Sequence, residues 1–179
     1  MLPMFHGHAV AIERYKTMIK TIYTIGGYGF TEESFFRRLV EADVDLFCDV
    51  RQRRGLRGRK FAFLNAIRLQ DHLRSIEIPY AHFKDFAPTT EIRNRQKEAD
   101  SRQGIQKRNR EVLGEEFVSG YRSDILTTQS PESFLSQLPK DCLRPCLFCV
   151  ECKPEACHRS LMSEWLADAA DLEVVHLLP

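Results

Sequence analysis

Short apolar runs alternate with amphipathic stretches along the chain, a pattern typical of repeated β-α-β units. The predicted buried strands are residues 21–27, 45–50, 80–83, 145–152 and 173–178. The predicted helical segments are residues 31–44, 61–78, 90–127, 131–138 and 154–169. A strand, a helix and a second strand in succession favour parallel pairing through a right-handed crossover. We therefore predict an α/β fold, a three-layer Rossmann-like domain with a mainly parallel sheet of about five strands.

The length and composition support one such domain. We assign residues 20–179 to it, and predict that residues 1–19 form an N-terminal extension because they are only weakly periodic. Apolar residues make up 43% of the chain and charged residues 28%, as in soluble globular proteins. No apolar run reaches the roughly 18 residues of a membrane span, and the N-terminus lacks the features of a secretory signal.

The cysteines indicate a reducing compartment. Five of the six cysteines lie between residues 142 and 157, whereas a secreted disulfide framework spreads its cysteines over the fold. We therefore expect reduced thiols in a cytoplasmic protein. The sequence leaves the oligomeric state open.

Positive charge is concentrated in two segments although the net charge is only +1. Residues 51–60 hold six basic residues and no acidic one, and residues 93–110 are also rich in arginine and lysine. Such clusters indicate a local site for an anion, either a small molecule or a nucleic-acid backbone. The alternative is a solvated loop and a solvated helix face.

Several cysteines have a spacing that resembles a metal site. Cys146, Cys149 and Cys152 recur every third residue and are followed by Cys157 and His158. In the predicted strand, however, side chains alternate between the two faces, so Cys149 would point away from Cys146 and Cys152. We therefore predict no metal site and no cofactor.

Cys157, His158 and Arg159 stand together near the start of the last predicted helix, with Pro154 at its first position. There the three side chains would lean toward the carboxyl ends of the strands, where open α/β sheets bind ligands. A helix N-terminus favours a thiolate or an anion, histidine transfers protons near neutral pH, and arginine can hold a phosphate through two hydrogen bonds. Glu151 is a candidate partner for Arg159.

Each of these residues also has a structural interpretation. Cys157 shares a helix face with Leu161 and can be a small core residue, and His158 can pack against Trp165. The sequence leaves both interpretations open.

Polar residues follow other predicted strands as well. Asp49 and Arg51 share a face at the end of the second strand, beside the basic loop that contains Arg54, and His82 ends the third strand. Asp49 is either half of a buried ion pair that braces the loop or a general base beside an arginine that holds an anion. Gly26, in the turn after the first strand, either lets the backbone approach a ligand or permits a positive φ in the turn.

Four segments of the chain resemble a bacterial and archaeal family known as domain of unknown function 488; they are YTIGGYGFTEESFFRRL, DLFCDVRQRR, IPYAHF and LFCVECKPEACHRSLMSEWL. The family combines a strand that ends in a glycine turn, an Asp-x-Arg motif, and a Cys-x-Glu motif followed by Cys-His-Arg. The matching positions are Gly26, Asp49, Arg51, Cys149, Glu151, Cys157, His158 and Arg159. The resemblance covers roughly residues 20–178 and implies a Rossmann-like fold, but it brings no established reaction.

Two functional hypotheses follow from the sequence. The first is an enzyme that acts on an anionic substrate, such as a nucleotide, a nucleic acid or a phosphorylated metabolite. Its candidate catalytic residues are Asp49, Glu151, Cys157 and His158, and its candidate substrate-binding residues are Gly26, Arg51, Arg54, His82 and Arg159. The second is a non-catalytic module that binds a nucleic acid or a partner protein, in which the Cys-His-Arg group is structural.

Overall fold

The computed structural model of the protein describes residues 18–179. The predicted N-terminal extension therefore lies outside the described residues, except for its last two positions. Of these, Ile19 is 1% exposed and belongs to the core. The first strand begins two residues later, at Thr21.

The predicted α/β fold is confirmed, and the described residues form one sheet of five strands. They are β1 (Thr21–Ile25), β2 (Leu46–Asp49), β3 (Tyr80–His82), β4 (Pro145–Phe148) and β5 (Glu173–Leu177). All pairings are parallel, in the order β3-β2-β4-β1-β5. Every residue of β2 and β4 is buried, which explains why these two strands have continuous apolar runs rather than alternating ones.

The order of the strands creates a switch point between β2 and β4. These two strands are neighbours, yet the chain leaves β2 for β3 at one edge of the sheet and leaves β4 for β5 at the other edge. The loops that follow β2 and β4 therefore diverge and open a crevice outside the carboxyl ends of the strands. In open α/β sheets, ligands bind at such a crevice.

In the described part of the chain from Thr21 onward, six α-helices flank the sheet. They are α1 (Glu32–Glu41), α2 (Ala66–Ser75), α3 (Thr90–Arg102), α4 (Glu115–Asp124), α5 (Pro131–Leu135) and α6 (His158–Ala170). The start of α1 follows from its sequence, because the Thr31 and Ser34 side chains cap each other's backbone amides. Phe35, Phe36 and Leu39 then form the buried face of α1.

Two predicted helices differ from the observed ones. The segment 61–78 contains a 3₁₀ stretch, Arg59–Leu64, and then α2, because the backbone at Asn65 is extended. The last helix begins at His158 rather than at Pro154, which instead starts a short 3₁₀ turn. Cys157 has an extended backbone at the N-cap of α6, so it precedes the helix instead of ending its first turn.

The core lies on both sides of the central strands. Phe35 contacts Phe47 and Phe148 edge to face, with ring centroids 6.2 and 5.6 Å apart. A second apolar cluster links α3 and α4 through Ile92, Phe117 and Tyr121. Between residues 18 and 179, no helix has both the length and the apolar character needed to cross a membrane.

Candidate functional site

A cavity of about 560 Å³ opens at the switch point between β2 and β4. Its walls are the loop after β2 (residues 51–56), the helix α3, and the segment between α3 and α4. Its remaining wall is formed by the loop after β4 (residues 149–151) and by the start of α6. The cavity therefore lies where the topology of the sheet predicts a ligand.

Four polar side chains meet on one wall of this cavity. The Sγ atoms of Cys149 and Cys157 each lie 3.1 Å from Oε2 of Glu151. The Sγ atom of Cys157 also lies 3.9 Å from Nδ1 of His158. All four residues are buried, although all four line the cavity. We call these residues the Cys149–His158 cluster.

Burial and hydrogen bonding oppose each other at the two thiols. The contact with Cys157, together with burial, raises the pKa of Cys149. Burial and the charge of Glu151 raise the pKa of Cys157, but the contact with Cys149, the charge of Arg159 and the contact with His158 outweigh them, and the pKa of Cys157 is lowered to about 5. Of the two thiols, Cys157 is thus the one that ionises first.

The imidazole of His158 has a fixed orientation. Its Nε2 atom donates a hydrogen bond to the carbonyl oxygen of Val50 over 3.0 Å, which leaves Nδ1 facing Cys157. The ring also packs edge to face on Tyr121 at 5.3 Å. Burial lowers the pKa of His158, whereas its contact with Cys157 and the Glu151 charge raise it, and the net shift is upward.

Two basic side chains hold the other oxygen of Glu151. Oε1 lies 3.1 Å from Nζ of Lys107 and 3.8 Å from Nη1 of Arg110. Burial raises the pKa of Glu151, but the charge of Lys107 and a hydrogen bond from the Cys149 thiol lower it far more. Arg110 also pairs with Asp100. Glu151 is therefore an ionised carboxylate whose two oxygens have different partners.

Arg159 fixes the loop that carries the cluster. It is completely buried, and its Nη1 and Nη2 atoms donate to the carbonyl oxygens of Glu151 (2.6 Å) and Cys152 (2.9 Å). Its Nε atom is buried and has no hydrogen-bond partner among the described residues. Arg159 does not line the cavity. In this structure its guanidinium group binds the backbone of the loop.

The turn after β1 holds the same loop from the other side. The backbone amides of Gly27 and Tyr28 both donate to the carbonyl oxygen of Val150. A Cβ atom at Gly26 would lie 2.0 Å from the carbonyl oxygen of Glu151, so only glycine fits there. The positive φ in this turn, 95°, occurs at Gly29. Gly26 therefore permits close approach to the loop 149–152.

Asp49 and Arg51 form a buried ion pair. The carboxylate of Asp49 accepts hydrogen bonds from Nε and Nη2 of Arg51 at 2.8 and 2.7 Å, and from the hydroxyl of Tyr80 at 2.8 Å. Nη1 of Arg51 donates to the carbonyl oxygen of Leu64, and the guanidinium group lies 4.5 Å from the centre of the Phe148 ring. This geometry corresponds to the interpretation in which the pair braces the loop after β2.

The structure brings some of the predicted site residues together and separates others. Those that line the cavity are Arg51, Glu151, Cys157 and His158. Those outside its lining are Gly26, Asp49, Arg54, His82 and Arg159. Arg54 donates to the hydroxyl of Tyr80, and Nε2 of His82 bonds to the carbonyl oxygen of Arg51. The functional roles of all these residues stay predictions.

The basic segment 93–110 contributes several cavity residues that were not predicted individually. Arg93, Lys97, Lys107 and Arg110 line the cavity, together with Arg53 from the loop after β2. The segment is recognisable in the sequence by its charge. Which of its side chains face the cavity depends on how α3 packs, and a weakly amphipathic, polar helix does not reveal this.

The cluster has the composition of a metal site as well as that of a catalytic centre. The ligand atoms of Cys149, Cys157 and His158 all lie within 4.8 Å of one another. The sequence argument against a metal at Cys149 assumed a strand that continues to residue 152, but β4 ends at Phe148. That assumption is wrong because Cys149 and Glu151 lie in the loop beyond the sheet.

The fold and the site together define an α/β protein with a parallel sheet and a polar, partly basic cavity at its switch point. The family model described as "Domain of unknown function DUF488" matches residues 31–166, which is more than half of the chain. The protein therefore belongs to this family, as its motifs suggested. Searches of the curated proteins and of the solved structures found no match.

Proposed function

We propose that the protein is an enzyme that acts on a phosphate-bearing substrate bound in the cavity between β2 and β4. One observation carries this proposal. The cavity has unpaired basic side chains on one wall and the Cys149–His158 cluster on another, so that a bound anion would lie beside groups that can carry out a reaction.

The charge balance of the cavity favours an anion. Six basic residues line it but only two acidic ones, Asp100 and Glu151. Both acidic groups are already paired, Asp100 with Arg110 and Glu151 mainly with Lys107. Arg51 is paired with Asp49. The other three basic residues of the cavity have no carboxylate within ion-pair distance in residues 18–179; they are Arg53, Arg93 and Lys97.

Arg53 and Arg93 lie close enough to repel each other. Partial burial lowers the pKa of Arg93, and the positive charge of Arg53 lowers it further. Arg93 is held in place, because its Nε and Nη2 atoms donate to the carbonyl oxygen of Thr89 and the hydroxyl of Thr90. Two neighbouring guanidinium groups without a counter-ion are suited to a phosphate, which both can hydrogen-bond.

The size of the cavity indicates a small substrate. A volume of about 560 Å³ lies within the range of small-molecule sites, roughly 300–1,000 Å³. Such a cavity accepts a nucleotide, a phosphorylated metabolite or the end of a single strand, but not a duplex. Glu151, Cys157 and His158 would supply the acid, base or nucleophile for the reaction, since they line the same space.

The exposed part of the basic loop favours the alternative of nucleic-acid binding. Arg53, Arg57, Arg59 and Lys60 are all exposed, and they extend the positive surface beyond the cavity. In this alternative a nucleic-acid backbone would lie along the loop, and affinity would fall steeply with salt.

A binding panel tests the proposal directly. Inorganic phosphate, pyrophosphate, nucleoside monophosphates, sugar phosphates and short oligonucleotides would be measured by thermal shift and then by calorimetry. We expect binding of a small phosphate compound, weakened roughly 10- to 100-fold by Arg93→Ala, because a charge-assisted hydrogen bond contributes about 1.5–3 kcal/mol. Arg95→Ala is the matched control, since Arg95 lies on the same helix but does not line the cavity.

The possible results separate the two functions. Turnover of a bound compound should be lost in Cys157→Ser while binding persists. Binding of oligonucleotides alone, weakened by Arg57→Ala and by salt, would establish the non-catalytic alternative instead. The proposal is wrong if no compound in the panel binds, or if Arg95→Ala weakens binding as much as Arg93→Ala does.

A further inference from the structure

We propose that Cys149, Cys157 and His158 bind a thiophilic divalent cation, with zinc the best fit. This inference rests on the proposed function, because it names the group that would act on the anion in the cavity. Among the described residues, Cys149, Cys157 and His158 form the group whose ligand atoms lie close enough together to hold a metal ion.

The distances are near those of a tetrahedral site. Zinc–sulfur bonds of about 2.3 Å and zinc–nitrogen or zinc–oxygen bonds of about 2.0–2.1 Å place neighbouring ligand atoms roughly 3.5–3.8 Å apart. The two Sγ–Oε2 distances are 3.1 Å each, and the distance from Cys157 Sγ to His158 Nδ1 is 3.9 Å. All three soft ligand atoms lie within 4.8 Å of one another. The two sulfurs and the imidazole nitrogen are therefore the atoms that could share one ion.

The orientation of His158 is that of a metal ligand. Histidine ligands usually donate their second ring nitrogen to a carboxylate or a backbone carbonyl, which fixes the ring and the tautomer. Here Nε2 donates to the carbonyl oxygen of Val50, so the lone pair of Nδ1 points toward Cys157.

The charges around the cluster suit a bound cation. Two thiolates neutralise a divalent ion, and the remaining negative charge of Glu151 is balanced by Lys107. Lys107 and Arg110 hold Oε1 of Glu151, while its Oε2 lies beside both sulfurs. A buried cation would thus have compensating charges on every side.

The position of the cluster gives the cation a role. All four residues line the cavity, so the ion would lie at the wall that a bound phosphate compound meets. A metal at this place would polarise an oxygen atom of the substrate, which is the usual task of a zinc ion with a substrate-facing position. Three protein ligands would leave the fourth coordination position to such an oxygen.

Elemental analysis of the purified, untagged full-length protein tests the inference. We expect about one zinc ion per chain, or, in protein stripped with a chelator, tight uptake of added Zn²⁺ measured against a competing chelator. Cys149→Ser and Cys157→Ser should each weaken zinc binding by about 100-fold or more. Loss of a residue that only hydrogen-bonds to a metal ligand typically weakens binding by about 10- to 100-fold. Substitution with Co²⁺ should show the absorption of a thiolate–cobalt bond in the wild-type chain but not in the Cys149→Ser/Cys157→Ser double variant.

Cys152→Ser is the matched control, because Cys152 lies in the same loop but outside the group of three ligands. Circular dichroism would establish that each variant is folded. The inference is overturned if stripped wild-type protein binds zinc no more tightly than the Cys149→Ser/Cys157→Ser double variant, or if Cys152→Ser loses zinc equally. Zinc content is measured without substrate and should persist in Arg93→Ala. Phosphate binding without zinc would therefore refute this inference alone, and zinc without phosphate binding would refute the proposed function alone.

Discussion

Replacing Asp49 by asparagine separates the bracing role of the Asp49–Arg51 pair from a catalytic one. Asp49 is completely buried and Arg51 is 3% exposed, so each charge depends on the other. Both carboxylate oxygens are fully used, Oδ1 by the Nε and backbone amide of Arg51 and Oδ2 by Nη2 and the Tyr80 hydroxyl. In Asp49→Asn, the side-chain NH₂ group would face two donors, Nη2 of Arg51 and the hydroxyl of Tyr80. Arg51 would also lose its counter-ion.

The expected cost is large. Removing one partner of a buried pair leaves an uncompensated charge and costs about 3–5 kcal/mol, a substantial share of the roughly 5–15 kcal/mol that stabilises a domain. Urea unfolding followed by the fluorescence of Trp165, the single tryptophan, would measure this loss. Asp71→Asn is the matched control, since Asp71 pairs with Arg74 at the surface, where both side chains are more than half exposed. We expect this control to cost at most about 0.5–1 kcal/mol.

A double variant sharpens the test. Asp49→Leu/Arg51→Met removes both charges at once, and apolar replacement of a whole buried pair is often neutral or stabilising. The double variant should therefore be more stable than Asp49→Asn, although Tyr80 and Leu64 lose a hydrogen-bond partner. A loss below about 1 kcal/mol in Asp49→Asn, equal to that of Asp71→Asn, would refute the bracing role and leave Asp49 as a candidate base.

Two further substitutions test how the loop 149–152 is held. Arg159→Met removes two charge-assisted hydrogen bonds to backbone carbonyls and should cost about 3–5 kcal/mol in urea unfolding, whereas Arg37→Met, on the exposed face of α1, should cost less than about 0.5 kcal/mol. Equal stability of the two variants would contradict the clamp. Gly26→Ala places a methyl group 2.0 Å from the Glu151 carbonyl oxygen and should cost about 3 kcal/mol, while Gly55→Ala, with nothing within 4 Å, should be neutral. A neutral Gly26→Ala would show that the turn and the loop do not depend on this contact.

The positions of the strands along the chain were predictable because they depend on local apolar runs. All five observed strands lie within the predicted segments, and β2 and β4 are buried on both faces as their continuous apolar runs indicate. The element boundaries were less predictable. The apolar run 145–152 includes Val150, which is buried in the loop rather than in β4, so hydrophobicity alone placed the end of the strand too late.

The composition of the site was partly predictable. Glu151, Cys157 and His158 were identified because they stand near the carboxyl end of a predicted parallel strand, and the structure places all three at the cavity. Arg159 shows the limit of this reasoning. The pattern indicates a cation near a ligand, but it does not distinguish a guanidinium group that faces solvent from one that binds two carbonyl oxygens of its own chain.

The loop 149–152 links the core to the cavity. Its backbone is held by Arg159 from α6 and by the amides of Gly27 and Tyr28 after β1, while the Cys149 and Glu151 side chains face the cavity. Because these backbone contacts lie behind the cluster, they fix the thiols and the carboxylate without occupying the space of a ligand. Preorganised groups lose little freedom when a ligand binds, which raises affinity for a given set of contacts. The buried Arg159 is therefore best explained as the residue that positions the Cys149–His158 cluster, and under the proposed function the unpaired Arg53 and Arg93 would hold the negative charge of the substrate.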